Sequence, residues 1–182
     1  TYGQHIQYCN DDDTTDQLPM SAKKQAQQIV GTFLYYALAL DFTMLVSLGS
    51  ISQQTNAPTE FTMSEIVWFL DYCATHPDAT IRYTASKMHL WTSSDASYLS
   101  VPNSKSRAGG FYFLSDKPKH QPNNSLTTET APSNAPKSNG PVHVLAKIMS
   151  NIMSSAMEAE VGSAFLVARD ACPMRVTLKE LG

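Results

Sequence analysis

Cysteine is scarce in this chain. Cys9, Cys73 and Cys172 are odd in number and far apart, with neither a CxxC pair nor a Cys/His spacing that suits zinc. That excludes a disulfide framework and a small zinc module, and it fits a reduced, intracellular, cytoplasmic setting. A basic n-region followed by an apolar run and a small-residue cleavage site is also missing at the start, so no secretory leader is expected. The chain opens on Thr1, which suggests a piece of a longer protein. Positive charge is not in excess: 13 Lys and Arg stand against 16 Asp and Glu, for a formal charge of -3. No whole-protein field draws phosphates in, so a dedicated DNA-binding domain is not expected and any nucleic-acid contact must be local. The longest apolar stretch, Ile29 to Ile51, is interrupted by Asp41. A charge at the bilayer centre costs about 2.5 to 3.5 kcal/mol. The stretch therefore reads as two buried helices, with Asp41 capping the second, and no membrane partner is expected. No internal repeat is visible.

What is present is enough for an ordered body: 182 residues, 42% of them hydrophobic. Residues 1 to 19 form a polar lead-in whose acids, Asp11, Asp12, Asp13 and Asp16, lack the alternating spacing of a calcium loop and read as solubilising charge. A helix is predicted over Met20 to Ala39, with Ile29, Phe33, Tyr36 and Ala37 as its apolar stripe. A second runs from Phe42 to about Asn56, before Pro58. A third is signalled by Thr62-Met-Ser-Glu65 as a capping box and ends at His76-Pro77. The period then changes to two. Strands are predicted over Thr80 to Tyr83, Met88 to Ser94, Gly110 to Leu114 and Val142 to Met149, with Ser100 to Arg107 as a hairpin loop. Gly109-Gly110 reads as the allowance for a tight hairpin. Between them, residues 116–140 hold four prolines, four asparagines and one large aliphatic residue, Leu126, the composition of a mobile insertion. A last helix is expected from Ser154 to Asp170, interrupted at Cys172-Pro173, with Val176 to Leu181 opening another. The fold class is α+β.

Two acids stand out. Asp95 closes an alternating strand, where aspartate is disfavoured unless it makes a turn or serves a site. Glu160 falls at helical spacing with Met153, Met157, Ala164 and Val167, and so is expected on the face that packs on the sheet, where a carboxylate needs a partner or a metal. Glu158 points elsewhere and reads as a surface acid. Lys105 and Arg107, among serines, suit either phosphate contacts or a solvated hairpin loop.

Ser94-Asp-Ala-Ser-Tyr98, Ser104-Lys-Ser-Arg-Ala-Gly-Gly-Phe-Tyr-Phe-Leu114, Ser155-Ala-Met-Glu-Ala-Glu-Val161 and Leu178-Lys-Glu-Leu-Gly182 together resemble the ribonuclease H segment of copia-type LTR retrotransposon polyproteins. Upstream, Gln28-Ile-Val-Gly-Thr-Phe-Leu-Tyr-Tyr36 with Asp41 resembles the connection that follows reverse transcriptase in the same polyproteins. The resemblance implies a helical connection over residues 1–78 and, over 79–182, an incomplete ribonuclease H-like domain with a mixed sheet. It implies hydrolysis of RNA in an RNA–DNA hybrid, with two Mg²⁺ or Mn²⁺ ions held by four acids. Asp95 matches the first acid and Glu160 the second; the segments that carry the other two have no match here. Ser94, Ser97 and Ser106, with Lys105 and Arg107, fall on the nucleic-acid side. The ancestral element would work in a cytoplasmic virus-like particle. The alternative is an inactive fragment that binds nucleic acid or protein, and an incomplete sheet would leave an edge through which copies can pair.

Overall fold

The computed structural model describes residues 13–117 and 136–182. Among them are four α-helices and one antiparallel sheet of three strands. Helix α1 spans Met20–Ala39, and Leu40 and Asp41 break it. The Asp41 carboxylate accepts from the Thr43 amide at 3.1 Å and starts a short 3-10 turn, Phe42–Met44, which runs into α2, Leu45–Gln54. That is the cap expected of Asp41, and among the described residues no helix is long and apolar enough to cross a membrane.

Helix α3, Glu60–Thr75, starts one turn earlier than Thr62-Met-Ser-Glu65 predicts. Thr59, extended after Pro58, is the cap. Its hydroxyl accepts from the Thr62 amide and the Thr62 hydroxyl accepts from the Thr59 amide, at 3.2 and 3.1 Å. Glu65 instead takes a hydrogen bond from Gln54 on α2. Thr59→Ala is expected to lower stability by about 1 kcal/mol, read as an earlier urea midpoint with an unchanged slope.

The strands are β1, His89–Val101, β2, Lys105–Ser115, and β3, Pro141–Ile148, in the order β1-β2-β3. The β1–β2 hairpin is tighter than the predicted loop: Val101 pairs with Lys105, and Asn103 and Ser104 take positive φ to close it. The expected strand at Thr80–Tyr83 is absent. That segment is extended but joins no ladder, and is held by side chains, with the Tyr83 hydroxyl donating to the Pro141 carbonyl and the Thr84 amide donating to Asn139. Asn139 also donates to the Leu114 carbonyl, so the C-terminal end of the predicted insertion is tied to the sheet. The rest of that insertion, residues 118–135, lies outside the described residues, as do Cys9, Asp11 and Asp12. Where the resemblance implies a mixed sheet, the described strands are antiparallel throughout.

Helix α4, Ala156–Glu180, is one helix and not two. Pro173 lies on its exposed side, where water can take up the carbonyl that loses its amide partner. The sheet lies between layers. By the pleat, Ala96, Ala108, Gly110, Tyr112 and Leu145 share the face that meets α4, whereas Val144 and Ala146 pack against the core of α1, α2 and α3.

Candidate nuclease site on the first strand and last helix

The crossing of α4 over β1 and β2 is the best-defined feature around the two predicted acids. Ser163, fully buried, donates its hydroxyl to the Asp95 carbonyl at 2.6 Å and to the Gly109 carbonyl at 3.2 Å. Small residues make this approach close. Ala159, Ser163 and Val167 are the buried positions of α4, and a Cβ on Gly110 would stand 2.7 Å from Val167. Gly110 is therefore a packing glycine inside β2, not a hairpin glycine.

Glu160 does not lie on the buried face: it is exposed, as are Met157 and Ala164 from the predicted stripe. The contact is made by small residues one position away, so the stripe read from hydrophobicity is rotated. Even so, Glu160 stands one turn before Ser163, about 5 Å along the axis from the contact to Asp95. Asp95 is exposed as well. It pairs with Gly109, out of phase with Ala96 and Ala108, so its side chain leaves the face opposite α4. The two carboxylates thus flank one crossing from opposite faces of β1. Because β1 has no strand on its outer side among the described residues, the route between them runs round that edge.

Their chemistry is otherwise open. Neither carboxylate is hydrogen-bonded or ion-paired among the described residues, where the one ion pair joins Arg169 to Asp170. Glu158 is different. Its carboxylate takes hydrogen bonds from the Ser154 hydroxyl and amide, both at 2.6 Å, and these hold its pKa below the usual carboxylate range. It belongs to the cap of α4, in which Ser155 accepts from the Glu158 amide. On opposite faces of β1 the two carboxylates do not converge as arranged here, and a single Mg²⁺ held by both would have to sit at the outer edge of that strand. They do not fit two ions, since no group of three His, Cys, Asp or Glu comes together among the described residues.

The predicted nucleic-acid residues do not form one patch. Ser106 is 0% exposed and accepts from the Leu99 amide, steadying a bulge where Leu99 adopts φ 49°, so it is not on a substrate surface. Arg107 is turned onto α2, donating to Ser50 at 3.0 Å, and burial pulls its pKa down. Ser97 is exposed beside Ser100, Ser94 is exposed, and Lys105 is half-buried at the hairpin. Hydrophobic patterning does not mark Ser163. Its signal was a hydroxyl four residues after Ala159 in an apolar helix.

No family model matches the chain, and neither a curated protein nor a solved structure does.

Proposed function

We propose that this chain is the reverse transcriptase connection and ribonuclease H-like segment of a copia-type LTR retrotransposon polyprotein, whose ancestral role is divalent-metal-dependent hydrolysis of RNA in RNA–DNA hybrids. One observation carries the reading beyond the sequence motifs. The first acid of the resemblance sits on the first strand of the sheet, the second on the helix that follows the third strand, and that helix crosses the first strand at the first acid. Asp95 and Glu160 are then the ligands this segment contributes to Mg²⁺ or Mn²⁺. A bound ion would supply Lewis-acid polarisation of a scissile phosphate. Among the chain's own residues, Ser163 pins the helix to the strand, and no hydrogen bond from the described residues engages either carboxylate.

A second reading rests on the same count of acids. With two carboxylates at the crossing, the segment alone favours binding over turnover, as a nucleic-acid-binding or protein-interaction module. The outer edge of β1 then offers a surface for pairing with another copy.

The test is hydrolysis of a labelled RNA–DNA hybrid in Mg²⁺ and in Mn²⁺. Slow, metal-dependent cleavage is expected, and Asp95→Asn and Glu160→Gln are each expected to lower it at least about tenfold. Equal cleavage by wild type and both variants contradicts the site. Binding of the hybrid without cleavage supports the second reading.

A further inference from the structure

Asp41 does more than cap the 3-10 turn. It is 8% exposed, and its Oδ1 carries both bonds to Thr43, from the amide and from the hydroxyl at 2.5 Å. Its Oδ2 has no protein partner among the described residues, and no Lys or Arg there comes within ion-pair distance of it. Oδ2 is not among the buried polar atoms left without a partner, so it is open to the space beside it. Asp41 lines a cleft of about 530 Å³ between the helical layer and the sheet, together with Tyr72, His76, Asp78, Phe111 and Val144. Among the described residues no Lys or Arg lines it. Tyr72 and His76 stack there, centroids 4.5 Å apart and planes 20° apart, and the Tyr72 hydroxyl lies 3.3 Å from the Thr43 hydroxyl. Asp78, exposed, adds a second negative charge to the same cleft.

We propose that this cleft binds an organic cation, a primary ammonium or guanidinium on an apolar stem, with Asp41 as its counter-charge. The apolar wall of Phe111 and Val144 takes the stem, and the Tyr72 ring offers a face on which cations are favoured. An anion would meet two carboxylates and, among the described residues, no Lys or Arg. The nearness of the Asp41 charge is also felt at Cys73, whose thiol pKa is raised by burial first and by Asp41 second. The proposal is independent of the nuclease reading.

The test is a titration of the ¹⁵N-labelled full chain at pH 7 with phenethylammonium and with its neutral isostere 2-phenylethanol. Amide shifts are expected at residues 41–43 and 72–78, with the cation binding at least about tenfold more tightly than the alcohol. Asp41→Asn keeps an acceptor at the cap. It is expected to lower cation affinity at least about tenfold while leaving the alcohol unchanged. Equal affinity for cation and alcohol, no shifts in the cleft, or an unchanged Asp41→Asn titration each overturns the proposal. If Asp41→Asn fails to fold, the wild-type comparison of the two compounds decides alone. A parallel titration with N-acetyl-lysinamide and N-acetyl-argininamide separates the sources. Shifts there assign the cleft to a partner's side chain, and shifts with phenethylammonium alone assign it to a small amine.

Discussion

Tyr112→Ala is expected to destabilise the fold by about 3 to 5 kcal/mol, the range for emptying a buried aromatic site. Among the described residues Tyr112 is the largest fully buried side chain, and it stands in the central strand, between β1 and β3 and under α4. Its hydroxyl donates to the Val167 carbonyl at 3.2 Å, and its ring packs against His143 with centroids 5.0 Å apart. Tyr112→Phe keeps the ring and loses only that hydrogen bond, at about 1 kcal/mol. The pair of variants therefore separates packing from bonding, and urea unfolding measures both. The same residue adds an alkaline signature. Burial, helped by the charge of Asp170 and opposed by Arg169, pushes the Tyr112 phenol up to about 12 from 10.0. The unfolded chain releases this proton at lower pH than the folded one, so stability falls between pH 10 and 12. Tyr112→Phe is expected to lose that part of the decline.

Gly110→Ala is expected to cost about 2 kcal/mol, because the added carbon meets Val167 at 2.7 Å, Leu145 at 3.1 Å and Tyr112 at 3.2 Å. α4 must lift or β2 must shift. A shift of that kind also strains the Ser163 bond to Asp95, so if the proposed metal site is right the variant weakens it without touching either carboxylate. Gly109→Ala is the control. Its Cβ meets nothing closer than the Asp95 carbonyl at 3.6 Å, and little change is expected. Thermal unfolding of the two variants side by side measures the difference.

Much of the helical layer was legible in the sequence, because its signals are local. The α1 stripe and Pro58 mark their own ends, and Asp41 announces a cap wherever the helix beyond it packs. The sheet was legible only where it is apolar. β1 was read as ending at Ser94 because Ser93, Ser94, Asp95, Ser97 and Ser100 are exposed on a strand with one partner, so no hydrophobic alternation marks them. The last helix is predicted only to Asp170, with a break at Cys172-Pro173, since a proline's cost depends on which side of the helix it occupies, and that is a tertiary fact. The site followed the same logic. Residue type and order single out Asp95 and Glu160 as candidates, but hydrophobic periodicity, which weights Met153 and Met157, puts Glu160 on the buried face, where it does not lie. The face that packs is Ala159, Ser163 and Val167, chosen by closeness to Gly110 and Ala108 and not by hydrophobicity. Ser106 and Arg107 were read as surface because serine and arginine usually are. Ser106 is held inward by Leu99 across the hairpin, and Arg107 by Ser50, which is far away in sequence.

The most direct test of Asp95 and Glu160 as joint ligands is Mn²⁺ titration of the ¹⁵N-labelled chain, followed by paramagnetic broadening of backbone amides. The account predicts selective broadening at residues 94–96 and 158–163, removed by the double substitution Asp95→Asn with Glu160→Gln. Broadening centred on other acids such as Asp78, Asp116 or Asp170, or broadening that survives the double substitution, would contradict it.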